Sequence, residues 1–355
     1  MDIALAIFLL LSPIILLPSI SNITALQFYQ FGVIDSSNSY LQLQFFQFGI
    51  IVLYLISLLK EKVRKLNDKW LFLFLGCCLI SVFLHPKSVQ VFSNVFLGFL
   101  LYKLVFEYAK RIRLLLFTIV IVSVLNFIFE VFQLFGFNLI YHDTGTIVGL
   151  MKSPSHLGTY QALAIPIYYY FNPFLAIIPI VGLLLTKTWT AIFAVILVIC
   201  LKFRKKIIGL GTMWIMFGAS LTALLILLFY KKILAEFLTR FWVWGETIKS
   251  LTFTGYGLGK FKITYTNVDK FFDSVYKNET FDNPYNVYLG IIYALGIFSI
   301  PIFIWLYKTL KIRNKLFPSC LILVIIALGQ SFMDFPRLAG IVIILFALLN
   351  LKEVI

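Results

Sequence analysis

The chain has 355 residues, of which 61% are hydrophobic and only 13% are charged, and its mean hydropathy is +0.98. A water-soluble domain could not hide that much apolar surface, so the composition excludes a soluble protein and indicates a polytopic membrane protein. The net charge of +15 is carried largely by short loops between apolar runs rather than by one soluble face, which argues against a nucleic-acid partner.

Apolar runs of about 18 to 22 residues recur along the chain, and each is long enough for one membrane-spanning helix. They predict an all-α membrane bundle of about twelve transmembrane helices, the first retained rather than cleaved as a signal peptide. The predicted spans lie near 3–20, 41–59, 70–84, 89–109, 114–135, 157–171, 174–186, 188–201, 207–229, 285–307, 316–332 and 338–351.

Every second connection between these predicted spans is rich in lysine and arginine. The basic connections lie at 60–69, 110–113, 202–206 and 308–315, whereas the alternate short loops carry isolated cations such as Lys187. The positive-inside rule places basic loops in the cytoplasm. Both termini are therefore predicted to be cytoplasmic.

Two predicted spans contain polar side chains at helical spacing. Asn126, Glu130 and Gln133 fall on one face of the fifth span. A carboxylate inside a membrane faces the bundle interior or a wet cavity, so Glu130 is expected either to contact substrate or to pair structurally. Lys103 and Glu107, four residues apart in the fourth span, are expected to neutralise each other.

The only long polar stretch, 230–284, lies between predicted spans nine and ten and forms an exterior cap on a single membrane domain, 1–355. Apolar residues recur every three or four positions over 231–251, which predicts an amphipathic helix along the membrane surface. Its apolar stripe comprises Ile233, Phe237, Phe241, Trp244, Ile248 and Leu251. Arg240 either pairs with Glu236 on the helix face or turns inward to hold a phosphate.

Three alternating glycines follow this helix, in the motif Gly255-x-Gly257-x-Gly259-x-Phe261. The spacing differs from a dinucleotide-binding fingerprint and lacks a strand-to-helix context. Alternating glycines permit tight turns and close backbone approach. Two readings remain open: a nest of N–H groups for an anion, or a plain loop entering the cap.

Together, these residues resemble the O-antigen ligase and polymerase superfamily of bacterial envelope glycosyltransferases. The resemblance covers about residues 140–350 and rests on the order and spacing of several segments: Met151–Tyr160, Leu183–Thr188, Arg240-x-x-x-Trp244, the glycine motif, Asn286-x-Tyr288-Leu289, and Ala294-Leu295-Gly296-Ile297. Two positions depart from the family pattern. Trp189 follows Thr188 where the family has Ser-Arg, and Tyr285 stands where ligases have histidine, which favours a polymerase and leaves the general base unassigned.

The resemblance implies a polymerase that joins polyprenyl-pyrophosphate-linked oligosaccharides on the exterior face of the bacterial cytoplasmic (inner) membrane. The alternatives are an O-antigen ligase acting on a lipid or protein acceptor, and a transporter or flippase of lipid-linked sugars. Its expected partners are the lipid-linked donor and acceptor, membrane lipids and a chain-length regulator protein. The sequence shows no carboxylate cluster for a metal and no C-x-x-C motif, so no metal or cofactor is expected.

Positioned cations would stabilise the leaving pyrophosphate, and Arg240 is the first candidate for that role. Asp282 and His156 are candidates for activating the acceptor hydroxyl, although a helix-end histidine is often satisfied by a backbone carbonyl. Arg337 has the alternative of pairing with Asp334. The candidates for substrate binding are Lys187, Trp244, Gly257, Gly259, Tyr285, Asn286, Arg337, Lys152 and Glu130.

Overall fold

The computed structural model describes residues 1–14, 34–137, 147–151, 153–207, 231–264, 280–281, 283–330 and 336–351. These residues are helical apart from loops and one antiparallel pair, β1 (Ile263–Thr264) with β2 (Thr280–Phe281), which confirms the predicted all-α class. The α-helices among them are α1 (Asp2–Ile14), α2 (Ile34–Leu58), α3 (Lys69–Leu84), α4 (Val89–Tyr108), α5 (Ile112–Leu134), α6 (Pro154–Phe171), α7 (Ile177–Thr186), α8 (Trp189–Ile207), α9 (Lys231–Lys249), α10 (Val287–Leu295), α11 (Ile300–Leu310), α12 (Phe317–Ile326) and α13 (Pro336–Leu349).

Each predicted span with described residues contains helix there, in two pieces over 285–307, whereas the predicted span 207–229 lies almost wholly outside the described residues. Within the described residues, three helical stretches are long and apolar enough to cross a membrane: Pro86–Tyr108, Ile112–Leu134 and Val287–Leu310. The last of these is interrupted by a 3-10 turn at Gly296–Ser299. The other apolar helices are shorter, so the number of spans stays a prediction.

Helix α6 lies at the centre of the packing, against α5, α7, α8 and α12. Its buried tyrosine hydroxyls are paired with carbonyl oxygens of α5, because an unpaired hydroxyl in an apolar core is costly. Tyr160 donates to the Ile119 carbonyl at 2.9 Å, and Tyr168 donates to the Val120 carbonyl at 3.1 Å. These bonds fix α6 against α5 along its length.

Two of the basic connections contact the ends of other helices. The Lys110 N–H donates to the Asp2 carboxylate at 2.9 Å, and the Asn314 side chain donates to the Leu349 carbonyl at 3.0 Å. The Lys315 ammonium lies 4.9 Å from the centre of the Tyr170 ring. The alternation of the helices across a membrane, which the loop charges predict, stays a prediction.

Glu107 has a different partner from the one predicted. Its carboxylate lies 3.0 Å from the Lys62 ammonium in the connection after α2, and it accepts the Leu66 N–H at 3.2 Å. The expected pair with Lys103 on the same helix was therefore wrong, because the folded connection brings a closer cation to the buried carboxylate. Its hydrogen bond to Glu107 raises the pKa of Lys62. The Lys62–Glu107 pair therefore stabilises the folded state fully at pH values below the ordinary lysine pKa, and this contribution is lost as pH rises through the raised pKa of Lys62.

Replacing Glu107 with alanine is expected to lower the free energy of unfolding by about 1–3 kcal/mol, because the buried Leu66 N–H loses its acceptor. Replacing Lys103 with alanine is the matched control and should change stability by less than about 0.5 kcal/mol. Thermal unfolding in detergent measures both. If both variants lost the same free energy of unfolding, Lys103 would be the partner of Glu107 after all.

Candidate functional site

The turn after α12 joins three helices through one amide side chain. Gln330 is buried, and its Oε1 lies 2.9 Å from the Thr159 hydroxyl of α6. Its Nε2 donates to the Thr190 hydroxyl of α8. The preceding residue, Gly329, lies so close to α8 that an added Cβ would meet the Thr190 methyl group at 2.9 Å. The turn 327–330 is therefore a tightly packed meeting point of α6, α8 and α12.

Arg240 reaches this turn from the cap helix α9. Its Nη1 donates to the Gly329 carbonyl at 2.7 Å, and its guanidinium lies 5.7 Å from the centre of the Tyr285 ring. Arg240 therefore turns inward beneath α9, while phosphate binding stays a prediction. The side chain of Glu236, the alternative partner, lies outside the described residues.

Trp244, one turn after Arg240, holds the segment that leads into α10. Its indole Nε1 donates to the Pro284 carbonyl at 2.9 Å. Phe241 packs edge-on against the Trp244 ring, with their centroids 5.2 Å apart. The Arg-x-x-x-Trp spacing thus places two side chains over the ends of α10 and α12. It docks the cap helix onto the bundle.

The two faces of α9 have opposite environments. Thr239, Val243 and Thr247 are buried, and Val243, which is not part of the predicted stripe, packs against Phe281. Phe241 and Ile248 of the predicted stripe are exposed, whereas Trp244 of the stripe bonds inward. The buried surface of α9 is therefore partly polar, and its position along a membrane surface stays a prediction.

Tyr285 adopts a left-handed backbone conformation, with a φ of 53°. A bulky residue there costs on the order of 1–3 kcal/mol and persists only where its surroundings hold it. The Asn283 side chain accepts the Tyr285 N–H at 2.7 Å, and the ring lies beneath Arg240. Such strain concentrates at functional sites, which makes Tyr285 part of the candidate site.

Asn286 is the N-cap of α10. Its side-chain oxygen accepts the N–H groups of Tyr288 at 3.0 Å and Leu289 at 3.1 Å. These donors would otherwise lack partners in the first turn of the helix. The structure therefore assigns Asn286 a capping role, and its predicted contact with substrate stays a prediction.

Replacing Asn286 with alanine is expected to lower the free energy of unfolding by about 1 kcal/mol, because one helix cap is lost. Replacing it with aspartate, which caps equally well, should restore stability. Calorimetric unfolding of both variants measures the difference. Equal loss of stability in both variants would contradict the capping role.

The glycine motif packs against the C-terminal end of α10. All three glycines have positive φ, at 74°, 94° and 72°. The N–H groups of Tyr256 and Gly257 donate to the Tyr293 and Ala294 carbonyls at 3.0 and 2.9 Å. These bonds satisfy the last carbonyls of α10, so the two amides are not available for an anion nest.

Close approach explains why the motif uses glycines. A Cβ on Gly257 would lie 2.6 Å from the Ser88 hydroxyl, and one on Gly259 would lie 2.6 Å from the Val91 side chain. The motif is therefore packed between α10 and the start of α4. Substrate contact by Gly257 and Gly259 stays a prediction.

Two further segments of the resemblance meet at the start of α6. The Thr188 hydroxyl donates to the Pro154 carbonyl at 2.8 Å, and Gly158 lies so close that a Cβ would meet this hydroxyl at 2.5 Å. His156 lies half-buried in the same first turn of α6. Lys187 ends α7 with a φ of 53° and is exposed.

Glu130 is fully buried between α5, α6 and α7. One carboxylate oxygen accepts the Gln161 amide at 2.6 Å, and Gln161 accepts the Ser123 hydroxyl at 2.6 Å. A Cβ on Gly182 would lie 2.6 Å from the other carboxylate oxygen. This packing favours the structural alternative for Glu130 over substrate contact. Asn126 and Gln133 share its face and accept N–H groups of the segment 148–150.

Three candidates cannot be placed at the site. Lys152 and Asp282 lie outside the described residues, as do Asp334 and the side chain of Arg337. The backbone of Arg337 belongs to the first turn of α13. Among the described residues, no group of three or more His, Cys, Asp or Glu side chains could hold a metal ion.

An apolar cavity of about 500 Å³ lies between α2, α3, α4, α10, α11, α12 and α13. Leu258 of the glycine motif lines it, as does Val91 near the start of α4. Tyr102 and Trp305 line it farther along α4 and α11. The cavity therefore extends along the helices from the level of the glycine motif.

Sequence reasoning identified Arg240, Trp244 and Tyr285 but missed Gln330, Thr159, Thr190 and the Gly329 carbonyl. A buried amide at the end of a predicted span is costly, and that signal could have pointed to Gln330. The glycine carbonyl carries no sequence signal. Compared with known proteins, the chain matches no family model, and no curated protein matches its sequence.

Proposed function

We propose that the protein is a polysaccharide polymerase of the bacterial cytoplasmic membrane, which joins oligosaccharide repeat units carried on polyprenyl pyrophosphate. One observation carries the proposal. Segments of the family resemblance, dispersed over residues 151–297, lie at the turn 327–330 or against α10: Arg240 bonds the Gly329 carbonyl, Thr159 contacts Gln330, and the glycine motif bonds the last carbonyls of α10.

The chemistry requires a positioned cation. The acceptor hydroxyl attacks the anomeric carbon of the donor sugar, the bond to the pyrophosphate oxygen breaks, and the hydroxyl proton passes to a base. Negative charge grows on the departing pyrophosphate, so a guanidinium held at the site stabilises the transition state more than the ground state. Arg240, held between a carbonyl oxygen and an aromatic ring, supports that role.

The apolar cavity supports a lipid-linked substrate. Its volume of about 500 Å³ lies in the range of small-molecule sites and is too small for a complete polyprenyl chain. The cavity would hold the first units of the polyprenyl chain. The loop charges favour an exterior position for the turn 327–330, on the face where the repeat units would be joined.

Purified protein in liposomes, supplied with radiolabelled lipid-linked oligosaccharide, tests the proposal. We expect labelled products of increasing length without any added protein. Transfer of single units to a separate acceptor lipid would instead make the protein a ligase. Movement of label across the bilayer without a new glycosidic bond would make it a transporter. Either outcome contradicts the polymerase assignment.

Filling the cavity is expected to weaken binding of the lipid-linked donor. Ala339→Phe adds a ring to the cavity wall, and it should raise KM for the donor about tenfold with a smaller change in kcat. Gly76→Phe is the control, because a Cβ at exposed Gly76 meets nothing within 4 Å. Rates measured against donor concentration separate the two constants. An unchanged KM for Ala339→Phe would remove the cavity from donor binding.

A further inference from the structure

We infer that Gln330 is a positioning residue that sets the direction of the Arg240 guanidinium through the Gly329 carbonyl. The inference about catalysis rests on the proposed function. The inference about orientation rests on the hydrogen bonds alone. Nothing in the family resemblance involved Gln330.

The Gly329 carbonyl oxygen is the atom that must be held in place. Its oxygen accepts the Arg240 Nη1 at 2.7 Å, so the carbonyl direction sets where that side of the guanidinium points. An arginine side chain has many rotamers, and it keeps one direction only if its partner is rigid. Gly329 lies beyond the last residue of α12, and one edge of the peptide that carries its carbonyl is held by the Gln330 N–H, which donates to the Ile326 carbonyl at 3.0 Å.

The Gln330 side chain adds a second restraint. Its amide is bonded to Thr159 on one side and to Thr190 on the other, so the residue that ends the Gly329–Gln330 peptide is also held in place. The single proton of the Thr159 hydroxyl is shared between Gln330 Oε1 at 2.9 Å and the Ser155 carbonyl at 2.8 Å, so this contact links Gln330 to the first turns of α6. The side chain is buried, so water does not compete for these bonds.

Arginine-specific modification tests the orientation without any substrate. Phenylglyoxal is applied to the purified full-length protein, and modification of Arg240 is followed by peptide mass spectrometry. In Gln330→Met, which keeps the length but loses both bonds, we expect Arg240 to react about tenfold faster. Arg64 is the internal reference, because its Nη1 donates to the Ala109 carbonyl at 3.0 Å in another part of the bundle.

A second variant separates orientation from general loosening. Asn350→Leu breaks a comparable pair between an amide and a threonine hydroxyl, that of Asn350 with Thr309, away from the turn 327–330. It should lower Tm as Gln330→Met does, yet leave the Arg240 modification rate unchanged. Equal Arg240 rates in the wild-type protein and Gln330→Met, or equal acceleration by both variants, would overturn the inference.

A double-mutant cycle tests the catalytic part. Gln330→Met is expected to lower kcat about 10- to 100-fold, because misplacement of a catalytic group by a fraction of an ångström is costly. In an Arg240→Ala background the same change should have no further effect on kcat, because the group it positions is absent. If the losses of kcat in the two single variants added up in the double variant, Gln330 would act independently of Arg240 and would not be its positioning residue. An inactive wild-type protein would refute the proposed function and leave the modification experiment to decide on orientation.

Discussion

Arg240→Ala is expected to lower the rate of polymer formation by about 10²- to 10³-fold, the typical effect of removing one group that stabilises developing negative charge. The side chain is half-buried and bonded at 2.7 Å to a carbonyl, so its removal also weakens the docking of α9. The measurement is the initial rate of chain elongation with purified protein in liposomes. Tm measured in parallel shows how much of the loss is structural.

Two control variants locate the effect. Lys249→Ala removes a cation from the same helix, where Lys249 pairs with Glu246 at 2.7 Å on the exposed side, and it should leave the rate unchanged. Arg240→Lys keeps the charge but loses the planar fork, so partial activity is expected. Full activity of Arg240→Ala at normal Tm would exclude Arg240 from the chemistry.

Gly296→Ala is expected to destabilise the fold by on the order of 3–5 kcal/mol, enough to abolish folded protein in a marginally stable chain. Gly296 ends α10 with a φ of 54° and a ψ of −129°, a conformation that side chains disfavour. An added Cβ would also overlap the Phe253 carbonyl oxygen and lie 2.7 Å from the Gly255 nitrogen. Both neighbours are backbone atoms, so they cannot move aside cheaply.

The yield of monodisperse protein after detergent extraction measures this loss. Gly245→Ala is the matched control in the middle of α9, where a Cβ meets nothing within 4 Å. It should raise stability by about 0.5–1 kcal/mol, because alanine favours a helix more than glycine does. Normal yield of Gly296→Ala would mean that the glycine motif and α10 are not packed together as described.

Patterns that repeat along the chain predicted much of the fold. The apolar runs predicted the described helices other than α9, since twenty apolar residues have few alternatives in a membrane. The amphipathic helix predicted at 231–251 is α9, Lys231–Lys249. The interruption of the tenth span at Gly296 was not predicted, because a glycine inside an apolar run does not by itself break a helix.

The candidate site was predicted only in part. Arg240 and Trp244 were visible because charged and aromatic residues at helical spacing are informative on their own. Glu107 was given the wrong partner because the spacing on one helix cannot show which loop folds back over its end. The Gly329 carbonyl could not be predicted, because every residue carries a carbonyl and only the fold selects one.

The sequence by itself determined the helical class, the position of the polar cap and the alternation of basic loops. These follow from local composition, since burial of apolar surface and loop charge act residue by residue. Only the tertiary structure decided that Arg240 turns inward and that Gln330 joins α6, α8 and α12. It also decided that the glycine motif closes the end of α10. Such contacts depend on the distance between residues far apart in the chain, which no local pattern encodes.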